Sequence, residues 1–538
     1  MVARATLLAA LLLPACGPGE EPAPDVTWDE MDGRRLLIRA SLDLRGVRPT
    51  ADEFAALEAD PDALDDLVDG FVDDPRFGDR MADVYAEVVL TRTETWPVSP
   101  QSYGMPIPQS VFVNAIGDEV PQMVGHVARE DLPFTELVTG DWTMADPTLS
   151  AIWPVEPVSD GWGVSRYTDG RPTAGVLSTN SMWWRYGSTP SNANRKRANA
   201  VSRIFLCQDY LHRPIAFDRN VNLLDEGAVA DAIQNDPGCI NCHSALDPLS
   251  GYFYGFWHYN PQLAAEVTNY HPERELLWRD TTGVAPAFYG EPSPGLADLG
   301  RQLAADNRLL TCAVQTMTES LLRRDTTLDD TNDLVIHREA FLDGGLTLRS
   351  LARSVVASEV YRAAATDDPR AVPTKLVTAD LLHDEIEDLT GFRWTLQGGL
   401  DALQSEAVGF RTLAGGADGV FVTHSATRPN ATLVLVQARL AEAAADHVVR
   451  ADLSGEGTPR LLTEVDGTET LDSDRDAIVG QVQALHWRIF GRRVDPDGEE
   501  VAANLELWQA LYDVHGDPER CWAGLVTALL RDPALLLY

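Results

Sequence analysis

Apolar residues recur at helical spacing along most of the chain, and residues 67–77, 351–361 and 525–535 share one pattern of eleven positions. Each sets apolar residues about one helical turn apart, then a short polar residue, then a bulky apolar one. A related arginine-rich turn precedes each stretch, at 44–50, 322–328 and 490–496. Thr50 with Glu53 fits a capping box, and Asp495 before Pro496 fits an N-cap with proline in the first turn. The pattern predicts a unit of helix, turn, helix, connection and helix near 34–88, 305–363 and 479–538. Its spacing is too irregular for a solenoid. The expected fold class is mainly α: multi-helical, with helical modules separated by long loops rich in Pro, Gly and Trp.

Those loops fill residues 96–173, with helices expected only at 121–130 and 133–138. Long irregular stretches serve function or cover a core, and covering a flat prosthetic group is one use here. Residues 365–372 are polar and read as a linker. Beyond them come a helix over 378–389, a Gly-rich segment at 409–419 and an Ala/Leu-rich helix over 430–449. The boundary is placed near residue 370. The expected domains are a helical domain at 29–365, with its central motif inside 174–290, a linker at 366–377 and a C-terminal helical domain at 378–538.

The N-terminus changes the picture. Arg4 precedes the apolar run 7–15, too short to span a bilayer but of the length of an export-signal core. The run ends Leu13-Pro14-Ala15-Cys16-Gly17, which resembles the bacterial lipoprotein cleavage box. Residues 1–16 are therefore expected to be a signal segment, with Cys16 lipidated, and residues 17–28 a Pro/Gly/Glu-rich tether. Gly17 after the cysteine resembles the sorting signal for the outer membrane, facing the periplasm or the cell surface. No later stretch is apolar for long enough to cross a membrane, so the lipid anchor alone is the expected attachment.

Composition sets further limits. Acidic residues outnumber basic ones 82 to 43, a formal charge of −39, which repels polyanions; nucleic acid is not an expected partner. Six cysteines stand at 16, 207, 239, 242, 312 and 521. Setting aside Cys16 and the close pair leaves three, which permits one further disulfide, and Cys207 with Cys312 is the favoured pairing.

The sharpest signal is Cys239-Ile-Asn-Cys242-His243. A c-type haem is held by thioethers from two such cysteines, with the adjacent histidine on the iron, and attachment takes place outside the bacterial cytoplasm, in keeping with export. A redox dithiol needs a preceding strand and a helix opening at the first cysteine; residues 236–238 read as a turn with no strand before them. A structural zinc site needs four ligands, and no second close pair exists. A short-loop disulfide stays open. For the sixth iron ligand, Met182 and His258 are the candidates, with Met317 and His271 behind them. A Met at helical spacing is more often core. The other histidines sit singly on expected helices, and no phosphate loop, nucleophile elbow or zinc-protease helix is present, so no catalytic residue is assigned.

Several segments together resemble the planctomycete-type cytochrome-c-associated proteins, exported bacterial domains without an established activity. They are the cysteine motif with Leu246-Asp247-Pro248, the segments 173–179 and 194–197 with Leu206-Cys207, the segments 133–138 and 142–146, and residues 34–77. Ser250 before Gly251 and the aromatic stretch 252–259 depart from that pattern. The resemblance implies one covalent haem c on Cys239, Cys242 and His243. The expectation is thus an exported, membrane-anchored electron carrier docking a redox partner through that partner's basic surface. The alternatives are a haem-free surface scaffold binding protein or polysaccharide, and a peroxidase-like haem enzyme.

Overall fold

The computed structural model describes residues 28–214, 221–222, 224–365, 368–396 and 400–538. The expected signal segment, Cys16 and the tether through residue 27 lie outside them. Among the described residues, twenty-four α-helices and four two-stranded antiparallel pairs make the fold mainly α. Among the described residues no helix is long and apolar enough to cross a membrane.

The three modules recur in three dimensions. Helices Gly33–Arg45, Asn307–Leu322 and Arg475–Phe490 each end on a left-handed residue, Gly46 (φ 75°), Arg323 (φ 56°) and Gly491 (φ 59°). Four residues on, Thr50 and Thr327 each close a capping box, with Glu53 and Asp330. A left-handed residue frees the chain to turn back, and the box satisfies the amides that open the next segment. In the third module Asp495 accepts from the Asp497 N–H at 3.0 Å and caps only a turn. The helix Glu499–His515 opens later, with Gly498 as its N-cap. The shared elevenfold pattern ends each module on a fully buried Phe77, Tyr361 or Leu535.

One core gathers residues from Met31 to Tyr361 and a second gathers residues from Leu376 to Leu536. Lys375, Leu376 and Val377, inside the stretch read as linker, are buried. The Val377 N–H donates to the Leu536 carbonyl, and the Tyr538 N–H to that of Lys375. Polar side chains at the junction also tie the two cores. Asp43 receives Lys375 and the hydroxyls of Tyr361 and Tyr538, the last two at 2.7 and 2.8 Å. Arg48 pairs with buried Glu385.

The loop-rich stretch covers a third, smaller core built on Phe112, Ile116, Leu149, Trp153 and Trp184. Its main helix runs Gln109–Arg129, twelve residues longer at the front than expected, with Pro121 inside it. Pro121 cannot donate to the Gly117 carbonyl, which breaks most helices. Here the buried Thr91 hydroxyl donates to that carbonyl at 2.7 Å and replaces the missing bond. The expected helix at 133–138 reduces to the single turn Glu136–Thr139.

Candidate functional site

The helix Pro237–Ser250 carries the cysteine motif. Asp236 caps it by accepting from the Gly238 N–H at 2.7 Å, and Pro237 occupies the first turn, where its missing N–H costs nothing. The helix therefore opens two residues before Cys239, where the sequence suggested a turn. A helix, Glu226–Asn235, precedes it, so the strand that a redox dithiol requires is absent there.

Cys239 and Cys242 are free, partly exposed thiols one turn apart on this helix. Cys242 packs against the main core. Burial, Asp236 and the neighbouring Cys242 push the Cys239 thiol up, the reverse of the activation a dithiol nucleophile needs. Among the described residues no three His, Cys, Asp or Glu side chains converge as metal ligands.

His243 projects one turn above Asp247, and its Nδ1 lies 3.0 Å from Oδ1 of that carboxylate. Arg195 donates to the same carboxylate through Nε at 2.5 Å and Nη2 at 3.2 Å. Burial alone would raise the Asp247 pKa, but the hydrogen bonds from His243 and Arg195 hold its carboxyl below the usual range. Asp247 is thus an anion at neutral pH, and it orients the ring: Nδ1 donates to the carboxylate and Nε2 is turned away from it. The imidazole keeps about a fifth of its surface exposed.

Arg195 opens the helix Arg195–Leu206 behind Asn194, which holds a left-handed φ of 64°. Two residues on, the buried Arg197 donates to the carbonyls of Phe253 and Phe256 at 3.1 and 3.2 Å, and to that of Trp183 at 3.3 Å. It clasps the aromatic 3-10 turn Gly251–Phe256 that follows the motif helix. The disulfide Cys207–Cys312 (Cα–Cα 5.3 Å) pins the far end of the same helix to Asn307–Leu322, the pairing favoured among the three remaining cysteines. Closing a loop of about 100 residues in this way stabilises by roughly 4–5 kcal/mol in the chain-entropy model.

The candidate sixth ligands fare unequally. Met182 and Met317 are fully buried in the main core. His271 spends both ring nitrogens, Nε2 on the Glu266 carbonyl at 2.9 Å and Nδ1 near Glu273 at 3.2 Å. His258 is half-buried, and burial, with Arg197 and Arg274 nearby, lowers it to about 4, so its imidazole is neutral. Asp247 and Arg195 were not singled out as functional by sequence reasoning, although the i, i+4 spacing of His243 and Asp247 carries the signal.

The donor set suits a c-type haem: two partly exposed thiols on one helix, a histidine oriented through Nδ1, and the exposed apolar Ile240 between the thiols. No curated protein and no solved structure matches the chain. Residues 25–103, which span the first module, match the model of PSCyt2, a planctomycete-type protein of unknown function (DUF1549).

Proposed function

We propose that this is an exported, lipid-anchored c-type haem protein that carries electrons, with one haem joined to Cys239 and Cys242 and its iron bound by His243. The observation that supports the reading is the chain Arg195–Asp247–His243, which holds Nδ1 against the carboxylate and leaves Nε2 without a protein partner among the described residues, beside two free thiols. The bound group would supply one-electron chemistry at the iron. The protein's part is to hold the imidazole in one tautomer and one plane, and to shield one side of the site with the aromatic turn that Arg197 fastens. Of the two residues considered as a second iron ligand, Met182 is sealed in the core, so His258 is the one that could serve if a second protein ligand is used. The acidic surface favours a basic redox partner and an encounter that slows as salt is added.

A peroxidase-like role draws on the same carboxylate, since an anion on Nδ1 strengthens the imidazole as a donor and favours ferric iron. Producing the protein with haem-attachment machinery tests the main reading. The expected result is a covalent porphyrin by mass spectrometry and c-type bands in the reduced spectrum, both lost in Cys239→Ala/Cys242→Ala. An unmodified mass overturns it. Carbon monoxide binding to the reduced protein would favour the peroxidase-like role.

A further inference from the structure

Arg80 lies on the helix Arg76–Val89, is only 6 % exposed, and makes no direct hydrogen bond or ion pair among the described residues. Its Nε is buried without a partner. An arginine cannot shed its charge, and a buried, unpaired cation costs several kcal/mol as an order of magnitude.

The residue borders a cavity of about 400 Å³ where the first module meets the helix Ala379–Thr390. Five arginines line it: Arg45, Arg76, Arg80, Arg393 and Arg460. Four carboxylates face them, and each is engaged by a cation other than Arg80. Asp79 pairs with Arg129 at 2.6 Å and Glu387 with Arg393 at 2.6 Å. Asp388 pairs with Arg488 at 2.7 Å and Asp384 with His383 at 2.9 Å. Behind Arg80, Asp83 and Asp380 are likewise taken, by Arg92 and Arg411. Asp83, Asp380 and Asp384 attract Arg80 only at longer range. Two cavity arginines thus lack a direct carboxylate partner: the buried Arg80, and Arg460 at the exposed rim, whose side chain donates to the Asp388 carbonyl at 3.1 Å.

We propose that this cavity binds a small anion through a carboxylate or phosphate group, with Arg80 as its principal ligand. A guanidinium presents paired N–H groups that match such oxygens two at a time, and the space is that of a small-molecule site. Arg460, exposed at the rim with a side chain free of any carboxylate partner among the described residues, adds long-range attraction. The site is independent of the cysteine motif and does not rest on haem attachment.

Titration calorimetry of the purified protein with inorganic phosphate and with citrate, at constant ionic strength set by chloride, tests this. Saturable binding of at least one probe is expected, weakened tenfold or more in Arg80→Gln; the probe that binds identifies the ligand group. Equal binding by Arg80→Gln, or no saturable binding of either probe to the unaltered protein, overturns the proposal. If Arg80→Gln does not fold, Arg460→Ala decides: binding weakened several-fold supports the site, and unchanged binding overturns it.

Discussion

At the scale of single residues, two histidines are governed by carboxylates in opposite settings. His243 is held on one side by Asp247, which leaves its other nitrogen open. Replacing Asp247 by Asn removes the negative charge from beside Nδ1 and, if the proposed haem is attached, would weaken the imidazole as a donor to its iron. In haem-loaded protein the midpoint potential should rise by on the order of 60 mV, a tenfold change for a one-electron couple, and a potentiometric titration reads it. His383 is instead clamped on both sides, by Asp384 at 2.9 Å and Asp401 at 3.0 Å. Burial would lower its pKa, but those carboxylates push it up to about 10. Its stabilising effect is complete below the unfolded value near 6.5 and is lost as pH rises through 10. Urea unfolding at pH 6, 8 and 10 should show a steeper decline for the natural protein than for His383→Gln.

At the scale of elements, each module works because its turn chemistry agrees with its helix pattern. The left-handed residue and the capping box sit at fixed offsets in the first two modules, so the helices they separate fold back at equivalent places. The helix Gln109–Arg129 survives its internal proline only through Thr91. Thr91→Val keeps the shape and removes the donor, leaving the Gly117 carbonyl bare. It should cost about 1–3 kcal/mol, seen as a lower urea midpoint with an unchanged slope. Amphipathic periodicity showed that helices belong in these places. It did not extend this one back past Pro121, because the compensating hydroxyl comes from a residue 26 positions before the carbonyl it serves.

At the scale of the molecule, two cores are held together by charges that neither could bury alone. Asp43 comes from the first module, Tyr361 from the second, Tyr538 from the third, and Lys375 from the crossing segment. Asp43→Ala would strand the Lys375 ammonium in the interior, and removing one partner of a buried pair costs about 3–5 kcal/mol. Scanning calorimetry should show a lower melting temperature for that variant, with the C-terminal core unfolding at or before the N-terminal one. The same junction carries the arginine-lined cavity, so any ligand held there would also tie the two cores together.

The sequence alone determined the helical class, the repeated helix-and-turn pattern, the Thr50 capping box and the limit of one disulfide among Cys207, Cys312 and Cys521. All of these follow from local spacing or from counting. It also isolated the cysteine motif, whose chemistry is contiguous along the chain. Only the tertiary structure decided that Cys207 pairs with Cys312, that Arg195 steers His243 through Asp247, that Met182 is core, and that Lys375 is buried where a linker was expected. It alone set Arg80 apart from its neighbours, because whether a charge is paired depends on which cations and carboxylates folding brings within about 4 Å, and no one-dimensional pattern records that distance.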